Sequence, residues 1–163
     1  MSRTGRVDVK EAIGKFYSSV NNILSVLGRN RNELMAVFLI KSYCLPALLY
    51  SCEIWTLTDS DKHSVNVAWN NAFRKIFNAC WRESVNKLLF FCNEMPVNYI
   101  IDLHKLLFYK RLMRNDNNVL TLIFKLARDN IKLLCSEYHV TLATDSVATI
   151  RQRVWRQFYS VVH

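Results

Sequence analysis

Apolar residues recur at intervals of three and four along most of the chain, a spacing that predicts a series of amphipathic helices. The first predicted helix covers residues 11–28 and ends in a glycine, which suits the left-handed residue that follows many helices. A second begins at Asn30 with Glu33 three residues later, a capping-box spacing, and is expected to kink or break at Pro46. A short buried helix is predicted to continue from there to Trp55.

The helix predicted after residues 58–61 has two distinct faces. Thr58 is a typical N-cap residue, and the acidic residues that follow it favour the positive end of the helix dipole. One face carries an apolar stripe made of Val65, Trp69, Ala72, Phe73, Ile76 and Cys80. The other face carries Asn70, Asn71, Arg74, Lys75 and Asn78. We therefore expect one side to be buried and the other to meet solvent or a ligand.

Two more helices are predicted before a polar break at residues 115–118. The first is short, at residues 84–91, and Pro96 marks the first turn of the next one. That helix, at residues 97–114, is apolar almost all round and becomes basic only at its end. Such a helix is expected to be buried on most of its sides.

The remainder of the chain also predicts helices. Residues 119–134 form one, residues 137–144 predict a loop with a short extended stretch, and the last helix starts at Asp145. The apolar face of that last helix is Val147, Ile150, Val154, Phe158 and Val161. Only three glycines and two prolines interrupt the chain, which argues against the tight turns of a β fold. The predicted fold is all-α, an irregular multi-helix bundle of about six to seven helices.

The chain of 163 residues is divided by its patterning into three parts. We expect a flexible tail at residues 1–10, a helical domain at 11–115, and a C-terminal helical extension at 116–163 packed on it. Hydrophobic residues make up 51% of the chain, yet its net charge is +9. The excess of apolar residues predicts that the chain covers another domain or partner, and the positive charge predicts a polyanion, most often nucleic acid.

The cysteines form no recognisable metal or disulfide pattern. They are Cys44, Cys52, Cys80, Cys92 and Cys135, an odd number with wide spacing. Zinc sites need closely spaced ligand pairs, and the four histidines are scattered, so no metal is predicted. Free thiols without a secretory signal predict a reducing intracellular location, nuclear or cytoplasmic, rather than secretion. No apolar run is long enough to predict a membrane span.

Catalytic chemistry is not predicted from the residues themselves. The chain has no phosphate-binding glycine loop, and its acidic residues stand mostly at expected helix caps, such as Asp59 and Asp116. Cys52 and Glu53 stand together in an apolar setting, but a buried carboxylate is stable only when it is paired. We expect Glu53 to meet a Lys or Arg, Cys52 to be inert, and Trp55 to close the hydrophobic layer. No cofactor is predicted.

Basic residues interleaved with aromatic residues are the strongest functional signal. Three clusters are visible: Arg74, Lys75, Trp81, Arg82 and Lys87; Lys105, Lys110, Arg111 and Arg114; and Arg151, Arg153 and Arg156. Lys and Arg neutralise phosphates, and Asn can position a nucleic-acid backbone without reading its bases. Most charged helix faces are simply solvated, so the residues alone leave both interpretations open.

Three stretches of the chain stand in a familiar order. They are LIKSYCLPALLYSCEIWTLTDSD at 39–61, AWNNAFRKIF at 68–77 and RLMR at 111–114. Together they resemble the region downstream of the palm in non-LTR (LINE-type) retrotransposon reverse transcriptases, over residues 16–114. The resemblance depends on the spacing of Pro46, Leu49, Tyr50, Glu53 and Trp55, together with Phe73 and Arg74.

The resemblance implies a thumb and connector, a helical region that holds the template–primer duplex against the palm. It implies a structural role for Glu53 and Trp55, and nucleic-acid contact for Arg74 and Lys75. Ser51 stands where the family often has Gly. No [FY]-x-D-D carboxylate pair, palm or Cys-His zinc knuckle is visible, so the chain is not expected to be an enzyme by itself. It is similar to a non-catalytic fragment of an RNA-directed DNA polymerase.

Two sets of site residues follow from these patterns and the resemblance. The nucleic-acid-binding set is Asn70, Asn71, Arg74, Lys75, Arg82, Lys110, Arg111, Arg114, Arg153 and Arg156; the structural set is Pro46, Tyr50, Glu53 and Trp55. The expected partner is an RNA template, an RNA–DNA hybrid or a DNA duplex, with no membrane and no small-molecule substrate. The alternative is a protein-interaction module that packs its apolar surface on a polymerase palm domain or another partner; a third is a functionless relic.

Overall fold

A computed structural model describes residues 9–28, 32–50, 52–54, 57–114, 122 and 125–162. Every regular element among these residues is helical, so the predicted all-α class is confirmed. The helices are α1 (Val9–Leu27), α2 (Glu33–Leu39), a π-helical turn (Ile40–Cys44), α3 (Leu45–Leu48), α4 (Asp59–Phe77), α5 (Val85–Phe91), α6 (Val97–Met113), α7 (Arg128–Glu137) and α8 (Val147–Val162). None of the described helices combines the length and the apolar character that crossing a bilayer requires.

The chain divides into two compact units, Met1–Asn98 and Tyr99–His163, and the division falls inside α6. The predicted boundary at residues 115–116 lies outside the described residues, as do residues 1–8 of the predicted tail. Val9 and Lys10, also assigned to that tail, form the first turn of α1. The two units are described separately below.

The core of the first unit is centred on Trp69 of α4, whose side chain is fully buried. Its ring lies 6.3 Å from that of Phe16 on α1 and 5.0 Å, edge-on, from that of Phe73 on α4. The indole N–H donates a hydrogen bond of 3.1 Å to the carbonyl oxygen of Met95, so the polar atom of the ring is also satisfied. Helix α1 packs on α2, α3 and α4 around this centre.

The ends of α4 follow from local sequence. The Thr58 hydroxyl accepts the Asp61 backbone N–H at 3.2 Å, and the Asp61 carboxylate accepts the Thr58 backbone N–H at 3.1 Å, which completes a capping box. At the other end Asn78 adopts a left-handed conformation with φ of 51°, which stops the helix. Cys80, which the apolar stripe predicted to be buried, therefore lies beyond the helix end and is exposed.

Residues 33–48 form one helical segment that changes its winding before Pro46. The Leu45 N–H bonds the Ile40 carbonyl five residues back, the spacing of a π turn. Proline lacks an N–H and its ring collides with the carbonyl four residues earlier, so a wider turn accommodates it without ending the segment. The disturbance predicted at Pro46 is thus a π turn. The segment begins after Asn32, whose side chain accepts the Met35 N–H at 3.1 Å, rather than at Asn30, which lies outside the described residues.

The helix predicted to continue to Trp55 ends earlier, at Leu48. The Cys52 N–H bonds the Leu49 carbonyl three residues back at 3.0 Å, which is a turn rather than a further helical step. Several of the residues that follow have low helix propensity, being aromatic, β-branched or Ser. Trp55 itself lies outside the described residues.

In the second unit α8 packs beside Tyr99, the first residue of α6 that belongs to this unit. Phe158 is fully buried, with ring centroids of Tyr99 at 5.7 Å and Trp155 at 5.6 Å. Ile150 and Val154 complete the buried stripe of α8. Val147 and Val161, predicted for the same face, are exposed, because they stand at the first and last turns where the stripe runs past its cover.

The connection between α7 and α8 is a loop, as predicted, but it is made of turns and contains no strand in residues 138–146. His139 has φ of 51°, and the Val140 N–H closes the end of α7 on the Cys135 carbonyl at 2.8 Å. Helix α7 ends at Glu137 rather than 134, and its predicted start at 119 lies outside the described residues. Helix α8 starts at Val147, where Ser146 accepts the Thr149 N–H at 3.0 Å.

We expect Trp69→Ala to lower the free energy of unfolding by about 3–5 kcal/mol, because it removes the centre of the first core and leaves a cavity. Chemical denaturation followed by circular dichroism would measure this loss. Trp81→Ala is the matched control, since Trp81 is exposed and its removal should change stability by less than about 0.5 kcal/mol. Equal losses for the two variants would contradict the central role of Trp69.

Candidate nucleic-acid interface

The polar face of α4 is partly used inside the first unit. Asn71 donates to the Tyr17 hydroxyl on α1 at 3.1 Å, and its oxygen accepts from the Arg74 guanidinium at 3.2 Å. A second nitrogen of Arg74 donates to the Glu83 carbonyl oxygen at 3.3 Å. Asn71 and Arg74 therefore connect α1, α4 and the turn before α5, which limits how far they can turn toward a ligand.

Asn70 and Arg74 also place polar atoms below the surface. The Asn70 Oδ1 and the Arg74 Nε are buried and accept or donate no hydrogen bond within the described part of the chain. Both residues are half-buried overall, so neither lies on a fully solvated face, and their predicted contact with nucleic acid stays a prediction. The physical reason for their partial burial is that α1 packs close to α4 and covers the edge of this polar face.

Lys75 is the cation of α4 that stays exposed. Its ammonium donates to the Asn21 side-chain oxygen at 3.0 Å and lies 5.7 Å from the centroid of the Tyr17 ring. These two contacts hold the ammonium beside α1, and Lys75 as a whole stays exposed.

Trp81 and Arg82 form an exposed pair just beyond α4. Trp81 is 74% exposed, and the Arg82 guanidinium carbon lies 4.9 Å from the centroid of its ring. The turn that carries them is closed by the Glu83 N–H, which bonds the Cys80 carbonyl at 3.1 Å. We call Lys75, Trp81 and Arg82 the α4-end cluster; Arg74 holds the turn beside it through its bond to Glu83.

The second unit uses two of its predicted contact residues internally. The Lys110 ammonium donates to the Leu142 carbonyl at 2.8 Å, and Arg153 binds both oxygens of Asp145 at 3.0 and 3.1 Å. The guanidinium fork matches a carboxylate in this bidentate geometry. The remaining members of the predicted set in this unit, Arg111, Arg114 and Arg156, are exposed.

Asp145 organises the turn that leads into α8. Its carboxylate accepts the Thr141 N–H at 2.6 Å, and its own N–H bonds the Thr141 carbonyl at 2.9 Å. The Thr141 N–H, followed by the Arg153 guanidinium and the Lys110 charge, holds the pKa of Asp145 below its ordinary value. Arg153 therefore stabilises this turn through its bonds to Asp145.

The predicted structural motif is only partly packed. Leu48, Leu49 and Cys52 are buried, whereas Pro46 and Tyr50 are exposed and Glu53 is half-buried rather than buried. The turn that the Cys52 N–H closes on the Leu49 carbonyl therefore leaves Tyr50 exposed while Leu49 and Cys52 stay buried. The pairing of Glu53 stays a prediction, and Trp55 lies outside the described residues.

Sequence reasoning missed the buried carboxylate of the first unit, which is Glu94. Only 8% of its side chain is exposed, and it forms an ion pair with Lys41 of the π turn. Burial raises the pKa of Glu94, and the Lys41 charge opposes that rise without cancelling it. Glu94 follows the left-handed Asn93, and its N–H bonds the Leu89 carbonyl at 2.8 Å. No sequence signal links it to Lys41, because the two residues are 53 positions apart.

Three thiols among the described residues have a pKa above the ordinary value, which is the opposite of activation. Burial raises the pKa of Cys44, Cys92 and Cys135, and the Glu94 carboxylate raises that of Cys92 further. A raised pKa leaves the thiol protonated and a poor nucleophile. Cys80 is exposed, and the structural role expected of the cysteines stays a prediction.

Several carboxylates bond other groups of the same unit. Glu11 pairs with Lys15 at 2.7 Å, and Asp102 accepts the Tyr138 hydroxyl at 2.8 Å. Burial, and then the Asp102 charge, raise the pKa of Tyr138 well above its ordinary value, so this hydroxyl stays a donor. Asp61, Glu94 and Asp145 serve a cap, an ion pair and a turn in the same way.

Comparisons of the chain with protein-family models, with curated proteins and with solved structures found no match.

We expect Lys41→Met to lower the free energy of unfolding by about 1–3 kcal/mol at neutral pH, because it leaves the Glu94 carboxylate buried without its cation. Glu94→Gln should cost less, since it removes the buried charge together with the pair. Denaturant titration of both variants and the parent chain would measure these differences. A larger loss for Glu94→Gln would contradict the buried-carboxylate account.

The same pair predicts a pH dependence. Because the pKa of Glu94 is higher in the folded chain than the ordinary value of 4.5, the folded state holds the proton more tightly. The stability that Glu94 contributes is therefore fully present below pH 4.5 and is lost as the pH rises through the folded pKa. The difference in unfolding free energy between Glu94→Gln and the parent should move in favour of the variant over that range.

Proposed function

We propose that the chain is a non-catalytic, thumb-like helical module of a retrotransposon reverse transcriptase that binds the backbone of template–primer nucleic acid. The proposal is supported by the resemblance over residues 16–114, by the all-α fold, and by the distribution of charge. A helical module of this kind would hold a duplex by its phosphates and leave the chemistry to a palm domain.

The observation that carries the proposal is the unequal use of charge. Carboxylates such as Asp61, Glu94 and Asp145 are held in a cap, an ion pair and a turn. Cations of the predicted set remain exposed in both units, namely Lys75, Arg82, Arg111, Arg114 and Arg156. These exposed cations belong to a chain whose net charge is +9, and exposed Lys and Arg side chains are the groups that attract phosphates.

The α4-end cluster provides the sharpest test in the first unit. We expect Lys75→Gln with Arg82→Gln to weaken binding to a labelled RNA–DNA hybrid whatever its sequence. Each lost phosphate contact should also reduce the slope of log affinity against log salt by about one. Fluorescence anisotropy over a salt titration would measure both quantities. Arg74 is left intact because it holds the fold through Asn71 and Glu83.

The control for this double variant is Lys10→Gln with Lys15→Gln, which removes the same charge from exposed positions near the start of α1. It should leave the slope nearly unchanged. Equal effects of the two double variants would mean that only overall charge matters. Absence of binding at low salt by the folded parent chain would overturn the proposal.

A second candidate function is a protein-interaction module, and exposed apolar side chains on α2 favour it. Leu34, Met35 and Phe38 are 66%, 52% and 62% exposed, and Phe38 stands four residues after Leu34 and three after Met35, the spacings of neighbouring side chains on a helix surface. Contiguous exposed apolar side chains are typical of surfaces that meet another protein. A polymerase palm domain is the partner that the resemblance suggests.

If α2 is such a surface, we expect the isolated chain to self-associate, and Phe38→Ser to reduce that association. Sedimentation velocity over a concentration series would measure it. Val26→Ser is the matched control, because Val26 is 87% exposed on α1. Monomeric behaviour of the parent chain at all concentrations would remove the support for this alternative, whereas relief of association by a palm fragment would strengthen it.

A further inference from the structure

The α4-end cluster contains an aromatic ring that backbone binding does not explain. Trp81 is 74% exposed, although indole rings are among the groups that gain most from burial. Phosphate contact needs Lys75 and Arg82 but has no use for a flat apolar surface. Phosphate contact therefore does not explain why the Trp81 ring is exposed.

We infer that Trp81 is a stacking platform for an unpaired base of single-stranded nucleic acid. The inference rests on the proposed function and narrows it from duplex backbone to a strand with accessible bases. Inside a duplex both faces of each base are covered by neighbours, so a protruding indole can stack only on a terminal base pair. In a single strand every base offers a π face, which is why aromatic platforms bind such strands with little sequence preference.

The charges next to Trp81 in the chain match this ligand. Arg82 lies 4.9 Å from the ring centroid, and Lys75 projects from the last turn of α4. Between residues 74 and 87 the chain carries four cations and one carboxylate, that of Glu83. A strand whose base stacks on Trp81 would have its phosphates within a positively charged surface, the combination that single-strand binding proteins use.

The turn that carries Trp81 is held in place before any ligand arrives. Arg74 donates to the Glu83 carbonyl at 3.3 Å, and the Glu83 N–H bonds the Cys80 carbonyl at 3.1 Å. Val85, the first residue of α5, is buried directly after the turn. A turn fixed on both sides keeps the ring from collapsing onto the protein, and binding then requires little ordering.

The test compares labelled oligo-dT and oligo-rU of about twelve nucleotides with a blunt duplex of the same length, using the full chain and fluorescence anisotropy. We expect Trp81→Ala to weaken binding of the single strands by about 5- to 100-fold and to leave duplex binding unchanged. Trp81→Phe should retain most of the affinity because it keeps a ring. Circular dichroism would check that each variant is folded.

Two further measurements distinguish base stacking by Trp81 from phosphate contact by the basic residues. Trp81→Ala should lower single-strand affinity at every salt concentration without changing the salt slope, whereas Arg82→Gln should change the slope. Tyr50→Ala is the matched control, because Tyr50 is an aromatic side chain of similar exposure, 77%, in the same unit. It should leave all affinities unchanged.

The outcomes distinguish failure of the stacking inference from failure of the proposed function. Loss on both single strands supports stacking by bases in general, and loss on oligo-rU or oligo-dT alone supports it for RNA or for DNA. Duplex binding that persists while Trp81→Ala binds single strands normally would overturn the stacking inference and leave the proposed function intact. Equal weakening of duplex and single strands would also overturn it. No binding of any probe by the parent chain would overturn both.

Discussion

The burial of Trp69 is the constraint on which the first unit depends. Its ring meets Phe16 and Phe73, and its N–H reaches the Met95 carbonyl, so one side chain joins α1, α4 and the segment before α6. Because the apolar side of α4 faces this centre, the polar side must turn toward the edge of α1. Asn71 and Lys75 accordingly bond Tyr17 and Asn21 of α1.

Arg74 connects the core of the first unit to its surface. Its guanidinium bonds Asn71 within α4 and the Glu83 carbonyl beyond it, and its own carbonyl accepts the N–H groups that end the helix. A residue with these bonds is a poor choice for a ligand contact but a good support for one. It holds the turn in which Trp81 and Arg82 are exposed.

Local features could be predicted from the sequence, and features that join distant segments could not. The Thr58 cap, the stripe around Trp69 and the left-handed Gly28 depend on residues a few positions apart, and each was expected. The Lys41–Glu94 and Asn71–Tyr17 contacts span 53 and 54 positions, and no pattern indicates them. For the candidate site, the sequence identified the basic residues but could not separate those used by the fold from those left exposed.

That separation changes what the net charge means. Lys110, Arg153 and Arg74 are held by carbonyl oxygens, a carboxylate and an amide, so they stabilise turns and offer less to a partner. Two of the exposed cations lie just beyond helix ends, Arg82 in the turn between α4 and α5 and Arg114 after α6. Helix ends are the places where a bundle can fix a side chain without covering it, because the backbone there is capped while the side chain has no neighbouring turn above it. A ring such as Trp81 held at that position can bind without prior rearrangement, so the free energy of a contact is not reduced by the entropy of ordering a loop.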